Sequence, residues 1–462
     1  MTGTAGMFLN ARDIAVLALR DRAGNVSAHL DRLLEQNPCS PADRAFAREL
    51  ALGTIRRRGT LDAVLDAFLR EPGHRPPGAV PDILHVGLYQ LLFLDRVPDH
   101  AAVNEAVQQA ERFHHKRQSG LVNGVLRSIL RAISPAMDEP PPAARDVLPV
   151  SPARYRRFDR AVFADPQAQP GAYLAGAYSL PEALATRWVR NFGGLAKAAQ
   201  LAAHADARAP IIVRINTLRS DLERARKALE AEGVSAVPHV NGKSLVLAEH
   251  VHVAGLAAFA EGLIQPQDPT ATAVALAAEV APGMSVLDFC AAPGTKTTLL
   301  AERMDNRGRI TALDVNEHKL QRITDNCARL GVGIVETRLS ETAGGLEPQS
   351  YDVVLVDAPC SNTGVLSRRA EARWHFSAES LSSSVRDQQF LLAAGAQFVK
   401  PGGRLVYSTC SLEPEENASL AAGFAARHAN FRLLDEKLTL PGGADDPARW
   451  RDGGYYAVFH AS

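Results

Sequence analysis

Along the first third of the chain, apolar residues recur at three- and four-residue intervals. Ile14 and Leu17, then Leu30, Leu33 and Leu34, fall on single helical faces, and Leu84, Leu88, Leu91 and Leu92 form a further stripe. A helix through Val103, Ala106, Val107 and Ala110 follows, and Leu121 to Ile129 makes the last. Ser40-Pro41-Ala42-Asp43 reads as an N-cap with proline in the first turn. Breaks are short and no segment reads convincingly as a strand, so residues 10–132 are expected to form an all-α bundle.

The pattern then changes. Pro135 to Pro152 is rich in proline, including Pro140-Pro141-Pro142 and Pro149, with acids among them, which predicts a linker stiffened towards polyproline II. Arg154-Tyr155-Arg156-Arg157-Phe158 interleaves basic and aromatic side chains. That mixture suits phosphates and stacked bases, and it equally suits a linker docking onto a neighbouring domain. From Leu180 to Glu261 the reading is mixed: strands at Ile211–Asn216, Val234–Val240 and Ser244–Leu247, with a helix from Asp221 to Glu232. This predicts a small α/β subdomain laid out like an RNA-recognition sheet. From Gln265 onward, strands Val286–Phe289, Ile310–Asp314, Val353–Asp357 and Arg404–Tyr407 alternate with helices, which implies a mostly parallel sheet with crossover connections. The expected domains are 1–134, a linker at 135–170, 171–262, and 263–462.

At 462 residues the chain is long enough for these separate cores. Lys plus Arg and Asp plus Glu both total 51, so any nucleic-acid binding must come from local patches. Arg56-Arg57-Arg58 and Lys116-Arg117 are such clusters, though solvated helix ends account for them as well. The five cysteines show no metal-ligand spacing, so neither a metal site nor a disulfide framework is expected. No apolar stretch reaches membrane-spanning length and no basic-then-apolar leader opens the chain. A cytoplasmic protein with reduced thiols, not bound to membrane and acting as a monomer, is the expectation.

Candidate chemistry gathers at the strand ends. Val286-Leu287-Asp288-Phe289 runs into Cys290-Ala291-Ala292-Pro293-Gly294-Thr295-Lys296, after which an amphipathic helix starts. Small side chains let a ligand approach the backbone, and the first N–H groups of a helix lack partners within it. About twenty residues on, the next strand ends in Asp314, where doubly wound sheets place an acid on a ribose hydroxyl. No Lys-Ser/Thr pair follows a GxxxxG frame, which argues against a P-loop. The unit predicts a nucleoside-bearing cofactor.

Two thiols occupy comparable places. Cys360 follows the strand that ends at Asp357, and Cys410 follows the strand ending at Thr409. A single cysteine is usually packing. Two at strand mouths beside an acid suit methylation at C5 of a pyrimidine, where a thiolate adds at C6 and makes C5 nucleophilic. A carboxyl group at N3 stabilises the charge that develops, and a base must later take the C5 proton. The target base must be unstacked to reach these groups.

Cys-Ala-Ala-Pro-Gly-x-Lys, Asp-Ala-Pro-Cys-Ser and Thr-Cys-Ser-Leu-x-Pro-Glu-Glu-Asn together resemble the RNA cytosine-C5 methyltransferases of the RsmB/NOP type. Gly53 to Asp62 and Gly120 to Arg127 resemble the NusB-like helical domain of the bacterial small-subunit ribosomal RNA members. Val213 to Leu218, Gln267-Asp268, and Asp452-Gly453 with Tyr455-Tyr456 match further stretches. The resemblance implies a NusB-like RNA-binding bundle, an RRM-like middle subdomain and a Rossmann-like methyltransferase domain. It also implies S-adenosyl-L-methionine as cofactor and small-subunit (16S) ribosomal RNA as partner. Carried over by motif, Cys290 to Lys296 would hold the cofactor, Asp314 its ribose, and Asp357 would lie between cofactor and base. The resemblance also assigns the thiols, with Cys410 as nucleophile and Cys360 assisting release.

Four positions depart from the family pattern. Thr295 stands for the second glycine of the loop, where a Cβ is expected to restrict backbone and cofactor. Thr337-Arg338-Leu339-Ser340 lacks an acid that often contacts adenosine. Arg369-Ala370-Glu371 replaces a His-Pro-Asp stretch before Trp374, and Gly454 replaces an aromatic. The first two bear on cofactor affinity and the last two on substrate contacts. Two other readings stand beside the ribosomal RNA enzyme: an RNA-binding assembly factor with a weakened methyltransferase domain, and the same chemistry on transfer RNA.

Overall fold

The apolar spacing of the N-terminal region becomes helices Ala11–Leu19, Val26–Gln36, Pro41–Phe68, Val80–Phe93, Asp99–Arg112 and Ser119–Ala132. They belong to a computed structural model that describes residues 9–20, 25–71, 73, 76–113, 115–248 and 251–462. Ser40 caps the third helix, accepting from the Asp43 N–H at 3.1 Å, and Pro41 opens it. The stripe Leu84, Leu88, Leu91 and Leu92 lies in a helix that is buried on almost every side, as befits the centre of a bundle.

Contacts divide the chain into two compact units. One is Met1–Ala207 together with Arg369–Phe376; the other is Arg208–Arg368 together with Ser377–Ser462. This division differs from the boundaries expected at 170/171 and 262/263. Helices Glu182–Asn191 and Leu195–Asp206 belong to the first unit, and buried charge explains why. Asp206 sits between two buried arginines, accepting from Arg57 at 2.8 Å and from Arg373 at 2.8 Å. Arg57 also donates to the Val150 carbonyl at 2.8 Å. A buried charge this well paired costs several kcal/mol to strand, on the order of 3–5, so it ties these segments into one body. Arg57 is thus a structural cation rather than a solvated one, while Lys116 and Arg117 are both exposed in a short turn.

The proline-rich segment is not extended throughout. Val147–Ser151 and Arg154–Arg157 pair as an antiparallel hairpin, because Val147 and Leu148 have a core to enter. Its arginines are engaged inside the first unit: Arg156 donates to the Ser134 and Leu91 carbonyls, and Arg157 pairs with Asp146 at 2.8 Å. Docking, one of the two readings of this stretch, is the one these contacts favour.

The second unit opens with a four-stranded antiparallel sheet in the order Ala236–Pro238, Ser244–Leu247, Ile211–Ile215, Ile264–Pro266. The last of these strands lies past residue 262, so the expected boundary there would cut a sheet. Helix Leu222–Ala231, capped by Asp221, buries Ala225 and Leu229 against Val213, Ile215 and Leu245.

The larger sheet has seven strands: β1 (Ser285–Asp288), β2 (Arg309–Asp314), β3 (Val335–Leu339), β4 (Tyr351–Asp357), β5 (Val399–Thr409), β6 (Phe431–Thr439) and β7 (Gly454–Ala461). Their order is β6-β7-β5-β4-β1-β2-β3, parallel except where β7 pairs with β5 and β6. Side chains alternate between two cores. Val286, Ile310, Val353, Leu355 and Val406 enter one face, and Leu287, Leu313, Val354, Val356 and Leu405 the other. Register aligns Asp357 with Ser408 and Asp288 with Leu355, so the carboxyl ends of β1, β4 and β5 open on one edge. Ligands of open parallel sheets bind there.

Candidate active site

The loop after β1 is shaped for close backbone approach. Gly294 adopts a left-handed φ of +90°, and a Cβ there would meet Ile323 at 3.1 Å, so glycine is required on two counts. Thr295 is the first residue of helix Thr295–Arg303 and takes ordinary helical backbone, so its Cβ imposes no backbone restriction. Across the loop, Asp314 at the end of β2 accepts from the Ala292 N–H at 3.2 Å and the Val315 N–H at 2.8 Å.

Beneath this loop lies a buried acid. Asp288 accepts the Thr297 hydroxyl at 2.7 Å through one oxygen, while its other oxygen has no hydrogen-bond partner in the protein. Burial pushes its carboxyl up to about 7, with the Thr297 hydroxyl opposing and the negative Asp357 adding. The half-satisfied acid, the left-handed glycine and the first-turn N–H groups of the helix fit a cofactor that carries a cationic amino-acid end and a ribose.

Lys296 leaves the loop and places its ammonium 2.6 Å from Asp357, at the end of β4. Burial disfavours that ammonium, but the Asp357 carboxylate and its hydrogen bond outweigh it, holding Lys296 above the usual lysine range. The second Asp357 oxygen accepts the Ser408 hydroxyl at 2.7 Å. Asp357 is therefore clamped from both sides, with its side chain still 32% exposed.

The thiols converge beside it. Cys360 and Cys410 have their sulfur atoms 3.2 Å apart. The hydrogen bond to Cys410, then burial and the negative charge of Cys410 and Glu416, raise the Cys360 thiol well above the ordinary range. Cys290, by contrast, sits in the cofactor loop, where burial and then Asp288 push its thiol up. Cys327 is buried in the core and Cys39 lies in the first unit.

Behind the thiols is a polar frame. Glu416, fully buried, accepts from the Ser361 N–H and the Gln388 amide, both at 2.9 Å, and from the Ser361 hydroxyl. Asn417 accepts the Thr409 hydroxyl at 2.6 Å and donates to the Ser411 carbonyl at 2.9 Å, gripping both neighbours of Cys410. Gly364 donates to the Cys410 carbonyl at 2.9 Å, and Gly453 donates to the Gly364 carbonyl at 2.8 Å. Gly454 is equally constrained, since a Cβ there would stand 2.9 Å from the Thr409 carbonyl oxygen.

Sequence reasoning thus found Cys290–Lys296, Asp314, Asp357, Cys360 and Cys410, and the structure gathers them at one sheet edge. It missed Ser408, Asn362, Glu416 and Asn417, although Glu416 and Asn417 lie inside a motif it quoted. Arg369–Phe376 belongs to the first unit. There Glu371 caps helix Val26–Gln36, accepting from the Val26 N–H at 2.9 Å and the Ser27 N–H at 2.8 Å, and Trp374 donates to the Ile55 carbonyl at 2.9 Å. Ser340 opens a short 3-10 turn after β3. Among the described residues, no group of three or more His, Cys, Asp or Glu could hold a metal, and no helix is long and apolar enough to cross a membrane.

Comparison with known proteins follows this layout. Residues 275–447 match the family described as 16S rRNA methyltransferase RsmB/F, residues 9–131 the NusB family, and residues 180–254 the ferredoxin-like domain of RsmF/B-like methyltransferases. The Synechocystis sp. protein named Probable ribosomal RNA small subunit methyltransferase B is 33% identical over 94% of this chain and 93% of its own. Its namesake in Bacillus subtilis is 32% identical over 91% of this chain and 89% of its own. The crystal structure of PH0851 shares the fold, with a TM-score of 0.74 and 23% identity over 98% of this chain and 99% of that one. The chain belongs to the RsmB family of ribosomal RNA small subunit methyltransferases, S-adenosylmethionine-dependent enzymes that form 5-methylcytosine.

Proposed function

We propose that this chain methylates C5 of a cytosine in small-subunit ribosomal RNA, with Cys410 as nucleophile, Cys360 assisting release and Asp357 contacting the base. The observation that carries this reading is the pair of sulfur atoms 3.2 Å apart beside a carboxylate held by Lys296 and Ser408. Cys290 to Lys296 and Asp314 would hold S-adenosylmethionine, which supplies an electrophilic methyl carbon when bound.

The chain's own residues prepare the ring and then restore it. Cys410 passes its proton to the Asp357 carboxylate and bonds C6, which frees the C5–C6 electron pair to act at C5. Asp357, now a carboxylic acid, donates that proton to N3 and so neutralises the charge that develops on the ring. Once C5 is methylated, its proton is released to solvent water, the double bond re-forms and the Cys410 sulfur departs, recovering its proton from N3 through Asp357. Cys360 is placed to assist that departure, its sulfur 3.2 Å from that of Cys410.

Methyl transfer to deproteinised small-subunit ribosomal RNA, wild type against Cys410→Ser, tests the reading. Label is expected at a cytosine in the wild type and absent in the variant. Label in transfer RNA alone, or none in any RNA, would overturn it.

A further inference from the structure

Beside the Cys410 thiol stands a side chain that the mechanism above does not use. Asn362 is the second residue after Cys360 and holds a left-handed φ of +60°. Glycine meets that backbone without strain, so an asparagine here adds its carboxamide. The amide nitrogen donates to the Cys360 carbonyl at 2.7 Å. That bond assigns the two ends of the amide, since a flipped group would set oxygen against oxygen. The amide oxygen then faces the Cys410 sulfur at 3.3 Å and accepts its S–H. Both neighbours of Asn362 are fixed as well: the Ser361 N–H is held by Glu416 at 2.9 Å, and the Thr363 hydroxyl accepts the Leu412 N–H at 2.9 Å.

We propose that Asn362 is a catalytic residue that touches the reacting sulfur, its carboxamide oxygen holding the Cys410 thiol protonated and aimed until the target base arrives. This rests on Cys410 being the attacking thiol. An acceptor facing a thiol stabilises the neutral S–H over the thiolate. It also restricts rotation about the Cβ–Sγ bond, so the sulfur is presented in one direction. When the proton passes to the Asp357 carboxylate, the amide oxygen and the thiolate repel each other, and bonding to C6 relieves that repulsion.

Two variants separate this role from support of the loop. Asn362→Gly keeps the left-handed backbone and removes the amide, while Asn362→Asp keeps the shape and adds charge. Full-length proteins are alkylated with iodoacetamide across a pH series, and modification of Cys410 is read by peptide mass spectrometry. The same proteins are assayed for kcat and KM on small-subunit ribosomal RNA. Asn362→Gly is expected to lower the pH midpoint of Cys410 alkylation and to reduce kcat about ten-fold at nearly unchanged KM. Asn362→Asp is expected to raise the midpoint by about one pH unit or more. A wild-type midpoint in both variants, or a shifted midpoint with unchanged kcat in Asn362→Gly, would overturn the proposal. The alkylation profile does not depend on turnover. Should Cys410→Ala retain methyl transfer, the nucleophile assignment fails by itself, and the profile still reports whether Asn362 governs that thiol.

Discussion

The sulfur atoms of Cys360 and Cys410 lie 3.2 Å apart although 50 positions separate them in the chain. Parallel pairing explains the meeting. Register sets Asp357 on β4 beside Ser408 on β5, so each strand delivers its cysteine two or three residues past the same edge. Glu416 and Asn417 then fasten the loops by side-chain hydrogen bonds. Two sulfurs in contact suit a reaction that must first form and later break a carbon–sulfur bond.

The close approach of Gly364 to the second thiol loop makes a sharp prediction. A Cβ at Gly364 would meet the Gly453 carbonyl at 2.6 Å and the Cys410 carbonyl oxygen at 2.8 Å, all of it backbone. Gly364→Ala is expected to cost about 1–3 kcal/mol of stability through overpacking. Displacing Cys410 should also lower methyl transfer about ten-fold or more. Binding of S-adenosylmethionine, measured by calorimetry, should stay within about two-fold, since the cradle lies on other strands. Unchanged turnover would show that the loop spacing is not critical.

A second prediction concerns the cradle's support. Arg214, on the small sheet, and Glu302, on the helix after the cofactor loop, form an ion pair with side chains 1% and 0% exposed. Arg214→Met leaves the carboxylate buried without its partner and should cost about 3–5 kcal/mol in urea unfolding. Adding Glu302→Leu should recover part of that loss. A single variant with the wild-type unfolding midpoint would remove the pair from the account.

The raised Asp288 carboxyl predicts a pH dependence of stability. Its native value, pushed up to about 7 by burial, exceeds the ordinary carboxylate value, so the folded chain keeps a proton that the unfolded chain has lost. Stability from this group therefore falls as pH rises through that window, by about 1.4 kcal/mol per pH unit at the steepest. Asn at this position should flatten the fall, and Asp288→Asn should gain on the wild type between about pH 4 and pH 7, at roughly that slope, and level off above. Asp268, pushed up to about 7 by burial and the neighbouring Asp452, contributes equally to both proteins. Parallel pH profiles for the two would contradict the burial argument.

The central strands and their end residues were legible in the sequence because buried parallel strands read as apolar runs, and chemistry follows such runs directly. Cys290 to Lys296, Asp314, Asp357, Cys360 and Cys410 all sit at or within a few residues of the end of an apolar segment. Strand β6 was not legible, since Arg432, Asp435, Glu436 and Lys437 make an exposed, charged strand at the sheet edge with no apolar run to betray it. Ser408 was hidden for another reason: its role is to face Asp357, and only the β4–β5 register shows that pairing. Asn362 reads in the sequence as an ordinary loop polar residue, and only the fold sets its amide against the Cys410 sulfur. The boundary at 207 depends on Asp206 meeting two arginines, one of them 167 positions away.

Covalent trapping on ribosomal RNA tests the central claim most directly. Wild type, Cys360→Ser, Cys410→Ser and the double variant are incubated with labelled small-subunit ribosomal RNA and S-adenosylmethionine, and the RNA is resolved on a denaturing gel. Cys360→Ser should accumulate a slow-migrating protein–RNA adduct, because attack survives while release is impaired, and Cys410→Ser and the double variant should show none. An adduct that persists in Cys410→Ser and is missing in Cys360→Ser would contradict the account, for it would mean that the earlier thiol attacks.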